Sequence, residues 1–391
     1  MIKITNGKTV FKKTEEKSVY IKDGKIFAVT NEELPHDGEI DAGGCYISAG
    51  FIDTHVHGGG NYDFMDSGTE PIVKACKTHM MHGTTTIYPT TLAADRDELY
   101  EAVKNIKKVA DSETDIPHIE GIHMEGPYLS PAQAGAQNPE YITPPVREEY
   151  EKMLAESGGF IKKWTYAPEV ENADVFYDFM IQNGIIPFAG HTDADYAEIE
   201  RAYKKGLRNV THYYSGMSSL HRVGGYRILG AIESVYLFDD MNVEIIADGC
   251  HLPPELLRLI YKIKGSDHIC AVTDAMRGAG MGDGMSVLGS EKHGSPCIIE
   301  DGVAKVMDRS CFAGSVATTD RLVRTLYKKA GISLEESVKM ATETPARIMG
   351  LESKGKLQEG CDADLVIFDD DINIKKVILS RGGETKIYEN R

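Results

Sequence analysis

Two histidines one residue apart, His55 and His57, close the run Gly50-Phe-Ile-Asp-Thr-His-Val-His57 and stand directly before three glycines. If residues 51–57 form a strand, side-chain alternation puts both imidazoles on one face. Two imidazoles at the C-terminal end of a strand suit a borderline divalent ion such as zinc or iron. The glycines let the backbone turn sharply and pass close to whatever is bound. Further along, Glu125, His191, His212 and Asp274 each follow a short β-rich run. Imidazoles and carboxylates gathered in this way suit hydrolysis assisted by one or two metal ions. A lone histidine after a strand is more often a hydrogen-bonded rim residue, and a lone aspartate more often a helix cap. Six such groups converging on one rim need partners, and a metal supplies them.

Strand signals that could position these groups recur at Thr84–Tyr88, His118–His123, Ile185–Ala189, Asn209–His212, Val243–Ala247 and Ile269–Thr273. Helix signals lie at Glu70–His82, Arg96–Ala110, Val146–Glu156, Ala173–Asn183, Asp195–Lys205, Pro254–Ile263, Thr318–Ala330 and Leu334–Thr342. Ser333 followed by Glu336 predicts a capping box. Repeated βα units over residues 51–350 predict a (β/α)8 barrel, whose chemistry gathers at the C-terminal ends of the strands. Residues 1–50 and 351–391 carry strand and hairpin signals, with Asn6-Gly7 and Asp23-Gly24 between β-formers. Neither end holds enough apolar surface to stand alone, so the two are expected to share one small β-sandwich domain. Gly278, Gly280, Gly282 and Gly284 around Met281 predict a mobile loop near the site. His79 and His82, on a helix, read as core or rim residues.

The chain has 391 residues, 41% of them hydrophobic and 26% charged, which is ordinary for a globular protein with a real core. Its 43 basic and 60 acidic residues give a net charge of −17, which argues against non-specific binding to nucleic acid or anionic membranes. An anionic small substrate stays compatible with local basic groups. The 7 cysteines are scattered without a Cys-x-x-Cys pair, as expected of reduced thiols in a cytoplasmic protein. No secretory leader and no run of about 18 to 20 apolar residues is evident.

Taken together, Gly50-Phe-Ile-Asp-Thr-His-Val-His-Gly, His123-Met-Glu-Gly-Pro, Gly190-His-Thr-Asp, Thr211-His, Ala247-Asp-Gly-Cys-His251 and Val272-Thr-Asp-Ala-Met resemble the amidohydrolase superfamily. Glu-Gly-Pro with Asn138-Pro139, and Phe312-Ala-Gly-Ser315, narrow the resemblance to its amino-sugar phosphate deacetylases. The resemblance runs from about Gly50 to Gly350. It implies hydrolysis of N-acetylglucosamine 6-phosphate to glucosamine 6-phosphate and acetate. It implies Glu125, His191 and His212 as ligands of one divalent ion, zinc or iron. His55 and His57 are implied ligands of a second ion, with Glu125 able to bridge. Asp274 matches the catalytic aspartate, which would take a proton from water and return it to the sugar amine.

Substrate contacts implied by the resemblance come from Ala136, Gln137, Ser215, Gly216, Asp248, Gly249, Cys250, His251, Phe312, Ala313 and Gly314. Gln137 stands where many relatives carry a histidine, and its amide can still donate to an acetyl carbonyl. Ser215-Gly216 replaces a frequent Asn-Ala beside the phosphate. Arg222 or Arg227 is expected to supply the phosphate clamp, from a neighbouring subunit, which implies a homodimer. Other readings are deacetylation of N-acetylgalactosamine 6-phosphate or an unphosphorylated sugar, and a cyclic-amide hydrolase. The last often carries a carboxylated lysine, and no lysine stands at an expected strand end. A non-catalytic assembly protein on this scaffold is disfavoured by the intact set His55, His57, Glu125, His191, His212 and Asp274.

Overall fold

The computed structural model describes residues 1–390. Its centre is a barrel of eight parallel strands, β1 (Phe51–Val56), β2 (Thr84–Thr91), β3 (Ile122–Glu125), β4 (Ile161–Tyr166), β5 (Ile186–Ala189), β6 (Asn209–Val210), β7 (Asn242–Ile246) and β8 (Ile269–Val272). Strands β1 to β8 pair in chain order. The circle closes just past the end of β8, where Asp274 N donates to His55 O (2.9 Å) and His57 N donates to Ala275 O (2.8 Å). Asp53 ties the same seam, accepting from Thr273 Oγ1 at 2.6 Å and Thr273 N at 3.2 Å. Closure and site are therefore one construction: the bonds that shut the barrel also set His55, His57 and Asp274 side by side.

Helices cover the barrel because their apolar residues recur on one stripe. In Arg96–Ser112, Leu99, Ala102, Val103, Ile106 and Val109 are buried at three- and four-residue spacing, and Asp95 caps the start by accepting from Asp97 N. Most helices lie close to their expected places. Three differ. Ala231–Tyr236 is a short helix with too few turns to show periodicity. The helix expected over Thr318–Ala330 is α-helical only to Arg324 and continues as a wider turn over Thr325–Lys329. The one expected over Leu334–Thr342 stops at Lys339, and a separate helix runs from Glu343 to Ile348. Ser333 Oγ does accept from Glu336 N, but Glu336 accepts from Ser266 Oγ instead of completing the box. The complete capping box belongs to Asp195 and Glu198.

One barrel strand, β4, has no counterpart among the expected strands. Its sequence Ile-Lys-Lys-Trp-Thr-Tyr shows two adjacent charges, yet Lys163 and Trp164 are both fully buried, on opposite sides of the strand. The glycine-rich stretch 278–284 is also not the free loop its composition suggests. Arg277 ties it down, donating to Asp66 Oδ1 (2.9 Å) and Gly289 O (2.7 Å). A Cβ on Gly278 would stand 2.3 Å from Ile299. The segment leads into a three-stranded antiparallel sheet, Gly284–Leu288, Ser295–Glu300 and Val303–Val306.

Beside the barrel, Ile2–Thr5, Ser18–Lys22, Lys25–Thr30 and Gly38–Asp41 form one sheet. A six-stranded sheet joins both chain ends, pairing Ser48 with Val366. Ile4, Val19, Ile47, Leu365, Ile367 and Ile378 share the core between them. No helix among the described residues is long and apolar enough to cross a membrane.

Asp364 joins this domain to the barrel. It accepts from Lys354 Nζ (2.8 Å), Ser380 N (2.9 Å) and His118 Nε2 of the barrel wall (3.3 Å). Burial alone would raise its carboxyl, but His118 and Lys354 outweigh it and hold the group at about 2, against an ordinary 3.8. A depressed folded-state pKa means stability that is present above about pH 4 and lost as pH falls towards 2. Asp364→Asn is expected to cost about 2 kcal/mol at pH 7. In urea unfolding the gap from the parent protein should narrow below pH 4; a gap constant from pH 7 to pH 3 would remove the ion-pair explanation.

Candidate metal centre and substrate cavity

Every candidate chemical group sits just past or at a strand end. β1 delivers His55 and His57, β3 ends on Glu125, and His191, His212 and Asp274 follow β5, β6 and β8. His191, His212 and Asp274 have φ of 47°, 23° and 46°, in the left-handed region that non-glycine residues avoid. Three such residues around one point mark backbone strain of the kind concentrated at functional sites.

The side chains converge in two groups that share Glu125. Glu125 Oε1 lies 2.8 Å from His212 Nε2 and 3.1 Å from His191 Nε2, and those two nitrogens are 3.1 Å apart. Glu125 Oε2 lies 3.2 Å from His57 Nε2, which is 3.2 Å from His55 Nε2. Asp274 Oδ1 stands 3.1 Å from His57 Nε2 and 3.4 Å from His55 Nε2. A divalent ion with bonds of about 2.0–2.1 Å spans tetrahedral edges of about 3.3 Å. The donor set therefore fits such an ion in chemistry and spacing, twice over.

Electrostatics agrees. Two carboxylates among buried imidazoles draw positive charge inward. Burial opposes the charged form of His57, yet Asp274 and Glu125 raise its pKa to about 10. Burial likewise works to neutralise Asp274, and His55 and His57 hold it down at about 2. One histidine in the cluster is different: His123 has both ring nitrogens taken by hydroxyls, Thr90 Oγ1 at 3.1 Å and Thr165 Oγ1 at 2.8 Å. It is a core residue. So is His79, whose Nε2 donates to Gly58 O at 2.8 Å.

A cavity of about 500 Å3 opens onto these groups. Ala136, Gln137, Ser215, Gly216, His251, Phe312 and Gly314 line it, as do His57, Glu125, His191, His212 and Asp274. Gln137 Oε1 accepts from Ala93 N at 2.7 Å, which turns its Nε2 towards His191 Nε2, 3.4 Å away. Gly216, at φ 56°, has no room for a side chain, since a Cβ there would meet His191 Nδ1 at 2.9 Å. Asp248, Gly249, Cys250 and Ala313 do not reach the wall. Asp248 instead orients His251, accepting from its Nδ1 (2.9 Å) and backbone N (2.8 Å). The His251 ring packs on Phe312 with centroids 4.7 Å apart.

Arg222 and Arg227 are not in the wall either. They face each other across an exposed hairpin, His221–Val223 and Tyr226–Ile228, because Gly224-Gly225 turns the chain out into solvent. The lysine and arginine that do line the cavity are Lys305 and Arg309, on and after the last strand of the three-stranded sheet. Sequence reasoning missed both, together with Leu92, Leu288 and Cys311. It also missed Lys163 and Glu244 beneath the metal groups. The lone carboxylate in the apolar run Asn242-Val-Glu-Ile-Ile was the available signal for Glu244.

A (β/α)8 barrel with paired imidazoles at the end of its first strand, and a carboxylate shared by two groups that could hold a metal, defines a metal-dependent hydrolase. The chain belongs to the amidohydrolase family, whose sequence model matches residues 46–387. It is 32% identical to an N-acetylglucosamine-6-phosphate deacetylase of Lysinibacillus sphaericus, over 96% of this chain and 95% of that protein. A protein of the same description from Bacillus subtilis is 33% identical, over 91% of this chain and 89% of its own. The solved structure of N-acetylglucosamine-6-phosphate deacetylase from Pasteurella multocida superposes with a TM-score of 0.89 at 28% identity, covering 99% of this chain and 100% of that one.

Proposed function

We propose that this chain hydrolyses the acetamide of N-acetylglucosamine 6-phosphate, giving acetate and glucosamine 6-phosphate in amino-sugar catabolism. The observation that carries the reading is the placement of Asp274 at the cavity wall, 3.1 Å from His57 Nε2 and beside the carboxylate shared by both donor groups. Glu125, His191 and His212 would hold the first ion, zinc or iron, and His55 and His57 with Glu125 would hold the second. When bound, such an ion polarises the amide carbonyl and lowers the pKa of water. Asp274 takes the proton of the attacking water and delivers it to the departing amine, without which the amine is a very poor leaving group. Gln137 Nε2 donates to the acetyl oxygen, and His251, whose Nδ1 proton is held by Asp248, accepts at Nε2 from a sugar hydroxyl.

Lys305 and Arg309, which pair with Glu300 and Asp301 at the cavity wall, turn to the phosphate of the substrate. The working unit is a cytoplasmic homodimer, in which Arg222 or Arg227 of one copy approaches the cavity of the other. Leu220, Val223 and Tyr226, exposed around that hairpin, support its use as a contact surface.

The direct test is acetate release from the 6-phosphorylated and unphosphorylated sugars, with metal analysis of the same preparation. The phosphorylated sugar is expected to react with much the higher kcat/KM. Equal values for both sugars would remove the phosphate from the substrate. Arg309→Ala is expected to raise KM for the phosphorylated sugar about tenfold or more, the loss of one hydrogen bond to a charged group. KM for the unphosphorylated sugar should move far less, and a matching rise in both would reassign Arg309 to the cavity wall.

A further inference from the structure

Beneath the metal groups, one layer deeper in the barrel, lies an ion pair that the proposed chemistry leaves unused. Lys163 on β4 pairs with His123 on β3 in the strand register, and Thr165 pairs with Glu125. Lys163 Nζ donates to Glu244 Oε1 and, at 3.1 Å, to Thr54 O. Thr54 Oγ1 donates to the same carboxylate oxygen at 2.8 Å. The lysine and glutamate side chains are 0% and 1% exposed. A buried pair of this kind is weak support for stability, because apolar residues of similar volume often do as well or better.

The free atoms indicate a role for the pair. Glu244 Oε2 is buried and has no hydrogen-bond partner, and neither has His55 Nδ1. These two atoms face each other at 3.6 Å, just beyond hydrogen-bond length. In the first donor group one ring has such a support, since His191 Nδ1 donates to Gln133 O at 2.7 Å, while His212 Nδ1 has no partner. In the second group His57 Nδ1 has no partner, so His55 is the ring with an acceptor in place. An imidazole that binds a metal through one nitrogen almost always donates from the other to a carboxylate or carbonyl, which sets its tautomer and ring angle.

We propose that Glu244 and Lys163 are positioning residues for the second ion. Glu244 Oε2 accepts the Nδ1 proton of His55, leaving the Nε2 lone pair towards the space it shares with His57 Nε2 and Glu125, and Lys163 with Thr54 balances and holds the buried carboxylate. The proposal rests on the ligand roles assigned above to His55, His57 and Glu125. It makes the number of ions held by this chain depend on a β4–β7 contact below the cavity.

The test is a zinc titration of the metal-stripped full chain, followed by calorimetry and by metal analysis after gel filtration. The parent protein is expected to take two ions per chain. The double variant Lys163→Met/Glu244→Gln removes both charges together, so no lone charge stays buried. It should weaken the second ion about 10- to 100-fold and leave the first unchanged. Lys163→Arg should retain both ions. If the double variant fails to fold, Thr54→Val is read in the same way, with a smaller loss at the second site only. Two ions at parental affinity in these variants, equal weakening of both ions, or a parent protein that takes only one would each overturn the proposal. Ion binding is measured without substrate, so a chain that releases no acetate refutes the proposed reaction while this result stands or falls alone.

Discussion

Asp274→Asn is expected to lower kcat by about 10²- to 10⁴-fold, the range supplied by a positioned acid–base group, while the bound metal stays at the parental level. The substitution separates proton transfer from everything else in the site. Asparagine keeps the shape of aspartate and tolerates the left-handed backbone that Asp274 adopts at φ 46°. The backbone bond that closes the barrel, Asp274 N to His55 O, survives, as does the bond from Ser315 N to Asp274 O at 2.8 Å. What is lost is an oxygen able to accept a proton from water and return it to nitrogen. KM should therefore change by a few-fold at most, and the defect should fall on kcat. Full activity in a metal-replete Asp274→Asn preparation would eliminate this residue as the proton carrier. A variant that had also lost its metal would leave Asp274 as a ligand, a different role from the one argued.

The rim of the barrel was legible because each group follows its own short β-rich run. His55 and His57 after Gly50-Phe-Ile, and Asp274 after Ile269-Cys-Ala-Val, announce themselves locally, and parallel βα topology alone sends them to one end. The layer beneath was not legible. Lys163 and Glu244 meet across 81 residues of sequence, and Lys162-Lys163 reads as solvent-facing until the barrel closes around one of the two. The same polar appearance hid β4 itself. The far wall of the cavity failed for another reason: Lys305 lies on, and Arg309 just after, the last strand of a sheet inserted after β8, whose position over the mouth depends on long-range packing such as Ile299 against Gly278. Glycine spacing at 278–284 suggested freedom, and the close approach of Ile299 shows that Gly278 is needed for lack of room. Arg222 and Arg227 were the opposite case, plausible in sequence because arginine suits phosphate. Two glycines between them turn the pair outward, so their proposed role requires a second copy.

Glu125→Gln is expected to remove metal from both groups at once, whereas His57→Asn should affect one. The asymmetry follows from geometry. Oε1 of Glu125 lies at 2.8 Å and 3.1 Å from the two nitrogens of the first group, and Oε2 lies at 3.2 Å from His57 in the second. An amide keeps the volume but replaces one anionic oxygen with a donor that cannot ligate, and it removes the charge that offsets a divalent ion in a buried site. Metal content should fall towards zero, and acetate release should drop at least about 10³-fold, since the attacking water and the carbonyl lose their activation together. The loss should also appear in stability. An ion that binds only the folded chain stabilises it by about 4 kcal/mol at a thousand times its dissociation constant, so adding zinc to the metal-stripped parent should raise Tm by several degrees. Glu125→Gln should show almost none of that rise, and His57→Asn should keep most of it if the first group binds more tightly. A metal-stripped parent that melts and works as before, with no response to zinc, would remove the ions from the account altogether and leave the four converging imidazoles unexplained.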